Sequence, residues 1–234
     1  MTKCLNARLR QFTNLSGNNW AVGKQLLQVL GEWAASADGS VLDYGCGESP
    51  FRHLFTSASS YIRMDVVDRG AGCIVVDGTT IPVQDSSIGC VILSQVLGDI
   101  PDQCGFFLEL CRVVKPAGQV IVFETTCYPE HDPPHDYFRI MPEGIRWLAN
   151  GAGFIDFEVV RIGGLFTRFA QLWNTCVMGG LDRLSLLRPL AMVGIVCANL
   201  GAYVLDRSFP HPLLATDYAA RFVKPQKPAA RENL

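Results

Sequence analysis

Charge is scarce in these 234 residues. Asp, Glu, Lys and Arg together make up 18%, below the quarter usual for globular chains. The net charge is −2, so no broad cationic face is implied and nucleic acid is not expected as a partner. The one basic cluster, Arg221 to Arg231, is interleaved with prolines and reads as a solvated tail. There are nine cysteines but no Cys-x-x-Cys pair and no Cys/His cluster at ligand spacing, which argues against structural zinc; no metal is expected. Cys46, Cys73, Cys90, Cys111 and Cys127 lie in or beside apolar runs and read as small core residues of a reduced, cytoplasmic protein. The first residues lack an apolar stretch of signal type, so no secretory signal is expected. Repeats and long low-complexity stretches are also missing.

What is present is apolar. Hydrophobic residues reach 49%, enough for a sizeable core and against disorder. Trp20, Leu26, Leu27, Leu30 and Trp33 predict a helix over 17–36. Strands are predicted at Val41-Leu42, 61–64, 73–76, 89–93, 119–123, 154–162 and 218–223, and helices at 50–55, 101–114 and 141–149, with a turn at Lys115-Pro116-Ala117-Gly118. Strands this short, apolar on both faces and alternating with helices or loops predict a doubly wound, mostly parallel α/β sheet. Four segments follow: 1–37 (helical), 38–164 (cofactor-binding core), 165–215 (an apolar helical insert before the last strand) and 216–234 (last strand and tail).

The sharpest motif is Val41-Leu42-Asp43-Tyr44-Gly45-Cys46-Gly47. A strand ends in an acid, and two glycines then let the backbone turn and approach a ligand. The carboxyl end of a central strand is where open α/β sheets bind nucleotides. Asp65 lies twenty residues after Gly45, where ribose hydroxyls are held. Nicotinamide enzymes share the Gly-x-Gly turn, so an NAD-dependent oxidoreductase is one alternative. Here Glu48-Ser49-Pro50 puts proline in place of a third glycine. Asp43 would also repel a pyrophosphate, whereas it suits a cofactor bearing an ammonium and a sulfonium.

Residues about 38–160 resemble the class I S-adenosylmethionine-dependent methyltransferase superfamily, close to its type 11 group. The ordered matches are VLDYGCGESPFRHLF, YIRMD, VVDGTTIPVQDSSIGCVILSQVLGDIPD and LELCRVVKPAGQVIV. The resemblance implies a seven-stranded Rossmann-like methyltransferase fold with S-adenosylmethionine as cofactor. By the same resemblance Asp43, Gly45 and Gly47 line its methionine end, Asp65 holds the ribose, Asp77 and Gly78 sit by the adenine, and Ser94 and Gln95 face the reactive centre. Arg52 is a candidate partner for the methionine carboxylate. Plainer readings stand beside these: Asp43 as a helix cap, Asp68 in place of Asp65, Arg52 as a surface residue, Ser94-Gln95 as a strand cap. Two departures stand out. Gly98-Asp99 replaces the Glu-His of many relatives, and Gly89 replaces a customary aspartate.

The loop Glu124 to Arg139 is polar, aromatic and stiffened by three prolines. It resembles the P-x-H-x-x-P-x-D-Y-x-R loop of methyltransferases found with polysaccharide and glycoconjugate biosynthesis, as do Pro142-Glu143-Gly144-Ile145 and Gly151-Ala152-Gly153-Phe154. That resemblance implies O-methylation of a sugar, glycoconjugate or lipid-linked small molecule. His135, or His131, is the candidate general base. Asp136 would orient the imidazole or bind substrate hydroxyls; His131, Tyr137 and Arg139 would line the acceptor pocket. A metal site at His131 and His135 with Asp132 and Asp136, or a purely structural loop, are the competing readings. A lipid or quinone methyltransferase and a catalytically silent cofactor-binding scaffold remain as alternative functions.

The insert 165–215 includes Pro189 to Leu205, seventeen residues without a charge. Lid, homodimer interface and peripheral membrane contact all fit it, so membrane association of a cytoplasmic protein stays open. If a seventh strand follows, a single membrane crossing is nearly excluded.

Overall fold

The computed structural model describes residues 5–70, 72–78, 80–130, 133–181 and 188–226. In chain order the elements are α1 (Leu5–Thr13), α2 (Trp20–Ala35), β1 (Gly39–Tyr44), β2 (Ala58–Asp65), β3 (Cys73–Val75), β4 (Ile88–Ser94), α3 (Gln103–Val113), β5 (Val114–Thr125), α4 (Pro142–Ala152), β6 (Ile155–Ile162), α5 (Leu165–Leu181), α6 (Arg188–Ser208) and β7 (Asp217–Val223). The seven strands form one sheet in the order β3-β2-β1-β4-β5-β7-β6. β1 pairs in parallel with β2 and β4, β2 with β3, and β4 with β5. β7 runs against β5: the Lys224 N–H donates to the Gly118 carbonyl and the Ala117 N–H to the Lys224 carbonyl, an exchange across a bulge of the kind antiparallel strands make. The doubly wound sheet with a helical insert before its last strand is the architecture expected.

The chain divides into two compact units, residues 30–160 with 218–234, and residues 1–29 with 161–217. In the first, alternate residues of β5 face opposite ways. Val120 and Val122 join Phe106, Phe107 and Leu110 of α3 and Ile145 and Leu148 of α4 in one core. On the other face the Gln119 amide donates to the Trp33 carbonyl at 3.2 Å. Asp102 caps α3 by accepting from the Gly105 N–H at 2.9 Å, and α4 ends on Gly153 in the left-handed region.

The structure departs from the sequence reading in several places. Within the segment 1–37 read as helical, α1 is a separate helix ahead of the one bounded at 17–36. The helix at 50–55 is a 3-10 turn over Arg52–Leu54. The Lys115–Gly118 turn is an irregularity inside β5, with Ala117 at φ +61°. Cys127 is exposed, although Cys46 and Cys90 are buried. The glycine at 89 has a steric reason: a Cβ there would lie 1.7 Å from the Asp38 carbonyl oxygen.

Candidate functional site

β1 and β4 lie side by side, yet β1 is followed by β2 on its other flank and β4 by β5. The chain therefore leaves these neighbours in opposite directions, which opens a crevice beyond their carboxyl ends. The loop after β1 curls there through three left-handed residues, Gly45, Gly47 and Ser49, at φ +67°, +48° and +50°. A Cβ on Gly45 would sit 2.2 Å from Val96 Cγ2. The loop is sewn onto the end of β2: the Cys46 N–H donates to the Met64 carbonyl and the Gly47 N–H to Asp65 Oδ2, both at 2.9 Å.

Asp65 is buried. Its carboxylate also accepts from the Val67 N–H at 3.0 Å and from Arg69 Nε at 3.2 Å. A carboxylate offers about four acceptor positions, so three donors leave room for a ligand hydroxyl. Asp68 is exposed and accepts from the Gly70 N–H, so Asp65 alone of the two touches the glycine loop. Asp43 is buried as well and accepts from the Tyr61 hydroxyl at 2.8 Å. Burial pushes its carboxyl up to about 6, against the lowering effect of the Tyr61 and Ser49 hydroxyls and the Arg63 guanidinium.

Arg63, on β2, is a residue the sequence reading missed. It donates from Nε to Ser49 Oγ at 2.9 Å and from its terminal nitrogen to the Gly47 carbonyl at 3.0 Å. The parallel register sets it opposite Asp43. Arg52, the arginine singled out from the motif, is exposed, with its guanidinium 5.3 Å from the centre of the Tyr61 ring. On the far side of β2, Asp77 is exposed and accepts from the Thr80 N–H at 2.9 Å, beside Gly78 at φ +90°. The Tyr44 hydroxyl is buried with no hydrogen-bond partner among the described residues. Its titration is raised to about 12, chiefly by burial and then by the charge of Asp77.

Ser94 ends β4, and Gln95 follows in the left-handed region at φ +55°, its N–H donating to the Phe123 carbonyl at 2.8 Å. Non-glycine residues held there concentrate at functional sites. The next two N–H groups, of Val96 and Leu97, both donate to Glu124 Oε1 at 2.9 Å. Glu124 is buried at the end of β5. Burial raises its carboxyl to about 7, although both N–H groups pull it down. Sequence reasoning placed Glu124 in the acceptor loop without a role, yet it repeats the signal of Asp43 and Asp65: an acid closing an apolar strand.

The loop leading to Arg139 rests on Gly98. The Tyr137 and Phe138 N–H groups donate to its carbonyl at 2.9 and 3.1 Å, and a Cβ on Gly98 would come within 2.9 Å of the Phe138 carbonyl oxygen. That contact accounts for the first half of the Gly98-Asp99 departure: a side chain at this position would displace the loop. The Asp136 side chain is almost fully buried and pairs with both terminal nitrogens of Arg139 rather than with His135. Arg139 donates further to the Tyr128, Pro129 and Phe138 carbonyls. The guanidinium is thus bonded within the loop. His135 is exposed, its Nδ1 lying 3.3 Å from the Tyr137 hydroxyl. His131 and Asp132 lie outside the described residues. Among the described residues no three His, Cys, Asp or Glu converge as metal ligands.

Residues 42–122, from β1 into β5, match the family model Methyltransf_11, described as a methyltransferase domain. The fold is the Rossmann-like methyltransferase fold. Similar solved structures include phosphoethanolamine N-methyltransferase 2 of Haemonchus contortus in complex with phosphomonomethylethanolamine and S-adenosylhomocysteine. It has 19% identity and a TM-score of 0.57 over 96% of this chain and 58% of that one. A second is the [4+2]-cyclase SpnF, at 20% identity and TM-score 0.55, over 88% of this chain and 82% of that one. A third is a SAM-dependent methyltransferase from Archaeoglobus fulgidus, at 15% and 0.56, over 86% and 94%. The chain spans 58% of the length of the Haemonchus protein. At these identities the likeness is one of fold, and the presence of a cyclase shows that this fold alone does not specify a reaction. No curated protein sequence matches the chain.

Proposed function

We propose that this methyltransferase domain binds S-adenosylmethionine and transfers its methyl group to a hydroxyl of a sugar, glycoconjugate or lipid-linked small molecule. The observation that carries the cofactor reading is the glycine loop hydrogen-bonded to Asp65 at the β1/β4 switch point, with buried Asp43 beneath it. The residues fit the group. Gly45 lets the loop turn at φ +67° with its backbone packed against Val96, Asp43 offers a carboxylate whose charged form is favoured by a nearby cation, and the Tyr44 hydroxyl has an open hydrogen-bonding position. Asp43, Gly45 and Gly47 would hold the methionine end, Asp65 the ribose, Asp77 and Gly78 the adenine side, with Ser94 and Gln95 at the reactive centre. When bound, the cofactor supplies a methyl group on a sulfonium. The protein's share is then alignment of donor and acceptor and removal of the acceptor's proton.

The acceptor reading rests on the loop 133–139, pinned by the Asp136–Arg139 pair and by Gly98 so that His135 projects into solvent next to Tyr137. His135 is the base in this scheme, and the Tyr137 hydroxyl orients its ring. His131 and Tyr137 would contact the acceptor.

Calorimetry with S-adenosylhomocysteine tests the cofactor half: the wild-type chain binds and Asp65→Ala does not. Absence of heat with both S-adenosylmethionine and S-adenosylhomocysteine, on folded protein, overturns it. For the acceptor half, His135→Ala is expected to keep cofactor affinity and lose turnover on a panel of hydroxylated sugars and glycolipids by about 100-fold or more. Undiminished turnover by His135→Ala would remove the base assignment and leave the cofactor site standing.

A further inference from the structure

The charges of this chain are sorted. Residues 1–29 with 161–217 carry nine Lys and Arg against three Asp and Glu, and the remainder carries eleven against nineteen. A chain of net charge −2 is thus one compact unit of +6 and another of −8. The cationic unit also exposes apolar surface, along two of its helices. α6 is long and apolar enough to cross a membrane, and only 17% of its most apolar stretch is buried. Leu190, Val193, Cys197, Leu200 and Val204 are all exposed, spaced three or four apart along one helical stripe where a soluble helix would present charge. On α5 the exposed stripe is Leu165, Phe169, Trp173 and Cys176. An apolar groove of about 320 Å³ runs between the helices, lined by Phe169, Trp173 and Leu205 among others.

The inner side of the hairpin buries Ala170, Ile195 and Ala202 and is tied down by two asparagines. The Asn174 and Asn199 amides hydrogen-bond at 2.9 Å, and Asn199 also donates to the Leu15 and Gly17 carbonyls at 2.8 and 3.0 Å. The hairpin leaves the sheet at β6 and returns at β7, which are neighbours, so a single crossing is excluded. A helix pair with one face packed inward and held by Asn199, and the other bare and apolar, suits the plane of a bilayer surface.

A cavity of about 940 Å³ in the same unit supplies the polar half of such a contact. Lys24, Arg161, Arg207 and His211 line it. Lys24 Nζ is held 5.4 and 5.6 Å from the Trp20 and Tyr203 ring centres, and Arg207 donates to the Tyr203 hydroxyl at 2.8 Å. The one acidic residue in the lining, Asp206, has both oxygens committed to the Phe166 and Thr167 N–H groups at 2.9 Å, at the start of α5. Basic side chains around a cavity whose acid is already engaged suit a phosphate monoanion or diester.

We propose that the unit formed by residues 1–29 and 161–217 docks on bilayers containing anionic phospholipid, seating a headgroup phosphate in the cavity of Lys24, Arg161, Arg207 and His211 and burying the exposed stripes of α5 and α6 among the acyl chains. A second copy of the chain is the poorer occupant, because a self-complementary contact through this face would bring two units of +6 together. The inference is independent of the methyl-transfer reading.

The test is flotation of the full chain with vesicles of phosphatidylcholine, with and without added phosphatidylglycerol. The expected result is recovery with the anionic vesicles and little with the neutral ones. Lys24→Gln, Arg161→Gln and Arg207→Gln combined should weaken anionic binding by about 100-fold, at roughly fivefold per basic side chain lost near the surface. Leu190→Asp with Val193→Asp should abolish it while circular dichroism stays unchanged; should that pair not fold, the charge variant decides. Three results overturn the proposal: folded chain that floats with neither vesicle, vesicle binding indifferent to both headgroup charge and the triple variant, or a dimer in sedimentation that Val193→Asp dissociates without any vesicle binding.

Discussion

Gly45→Val should lower affinity for S-adenosylhomocysteine more than about 100-fold while the sheet stays folded, since two independent costs meet at one Cβ. Gly45 sits at φ +67°, where a β-branched residue is a true outlier. The added Cβ would also meet Val96 Cγ2 at 2.2 Å. Val96 is 8% exposed, and its own N–H is held by Glu124, so it cannot yield by swinging into solvent. The loop must move instead, and with it the Gly47 N–H that reaches Asp65. Gly45→Ala carries the same Cβ and should lose most of the affinity too. Gly31→Ala is the control: it lies in α2 and its Cβ would meet nothing within 4 Å, so it should bind normally and unfold at the same temperature or higher. Calorimetry alongside thermal unfolding separates the cases. Normal affinity in Gly45→Val would mean that the loop after β1 does not cradle the cofactor.

The parts of this site that were legible in the sequence are those whose signal is local. Asp43, Gly45 and Gly47 stand within five residues and announce a strand, an acid and a turn. The parallel strands could be read because both faces are covered, which makes β4 a continuous apolar run. The residues that escaped notice act across the sheet. Arg63 matters because the β1–β2 register sets it opposite Asp43, and nothing in its own neighbourhood distinguishes it from Arg52. The glycines at 89 and 98 looked like lost functional groups, yet each leaves room for a carbonyl, of Asp38 and of Phe138. Distances of fifty and forty residues hide such contacts from any periodicity argument. A motif records residue types and not where their donors go, so the bonds by which Arg139 holds its own loop were not legible either. The insert was legible as apolar helix, but the segregation of charge between the units depends on chain segments far apart in sequence.

Glu124→Gln should flatten the pH dependence of stability between about pH 4.5 and 7, and the reason ties the end of β5 to the glycine loop after β1. The Glu124 carboxyl rises from the usual 4.5 to about 7, first because it is buried. An acid with a raised folded pKa binds its proton more tightly in the native state. Stability is therefore greatest below pH 4.5, falls as pH climbs toward 7 and levels off above that. A rise of this size corresponds to at most about 3 kcal/mol at 1.36 kcal/mol per unit, or on the order of 5–10 °C in Tm for a chain of this length. Gln keeps the acceptor oxygen for the Val96 and Leu97 N–H groups and cannot ionise, so it resembles the protonated acid at every pH. The difference between wild type and Glu124→Gln should therefore be small at pH 4.5, grow toward pH 7 in favour of the variant, and stay constant beyond. Asp43, raised to about 6 by burial, adds a similar slope at lower pH to both proteins and cancels in that difference. Glu124→Ala should behave otherwise: it leaves two buried N–H groups without an acceptor, costing about 1–3 kcal/mol each at all pH values. It also releases the turn that positions Val96 against Gly45, so cofactor affinity should fall along with stability. A difference curve between wild type and Glu124→Gln that is flat from pH 4.5 to 8 would show that the carboxyl is ionised throughout, and that the Val96–Leu97 turn is held by a charged group.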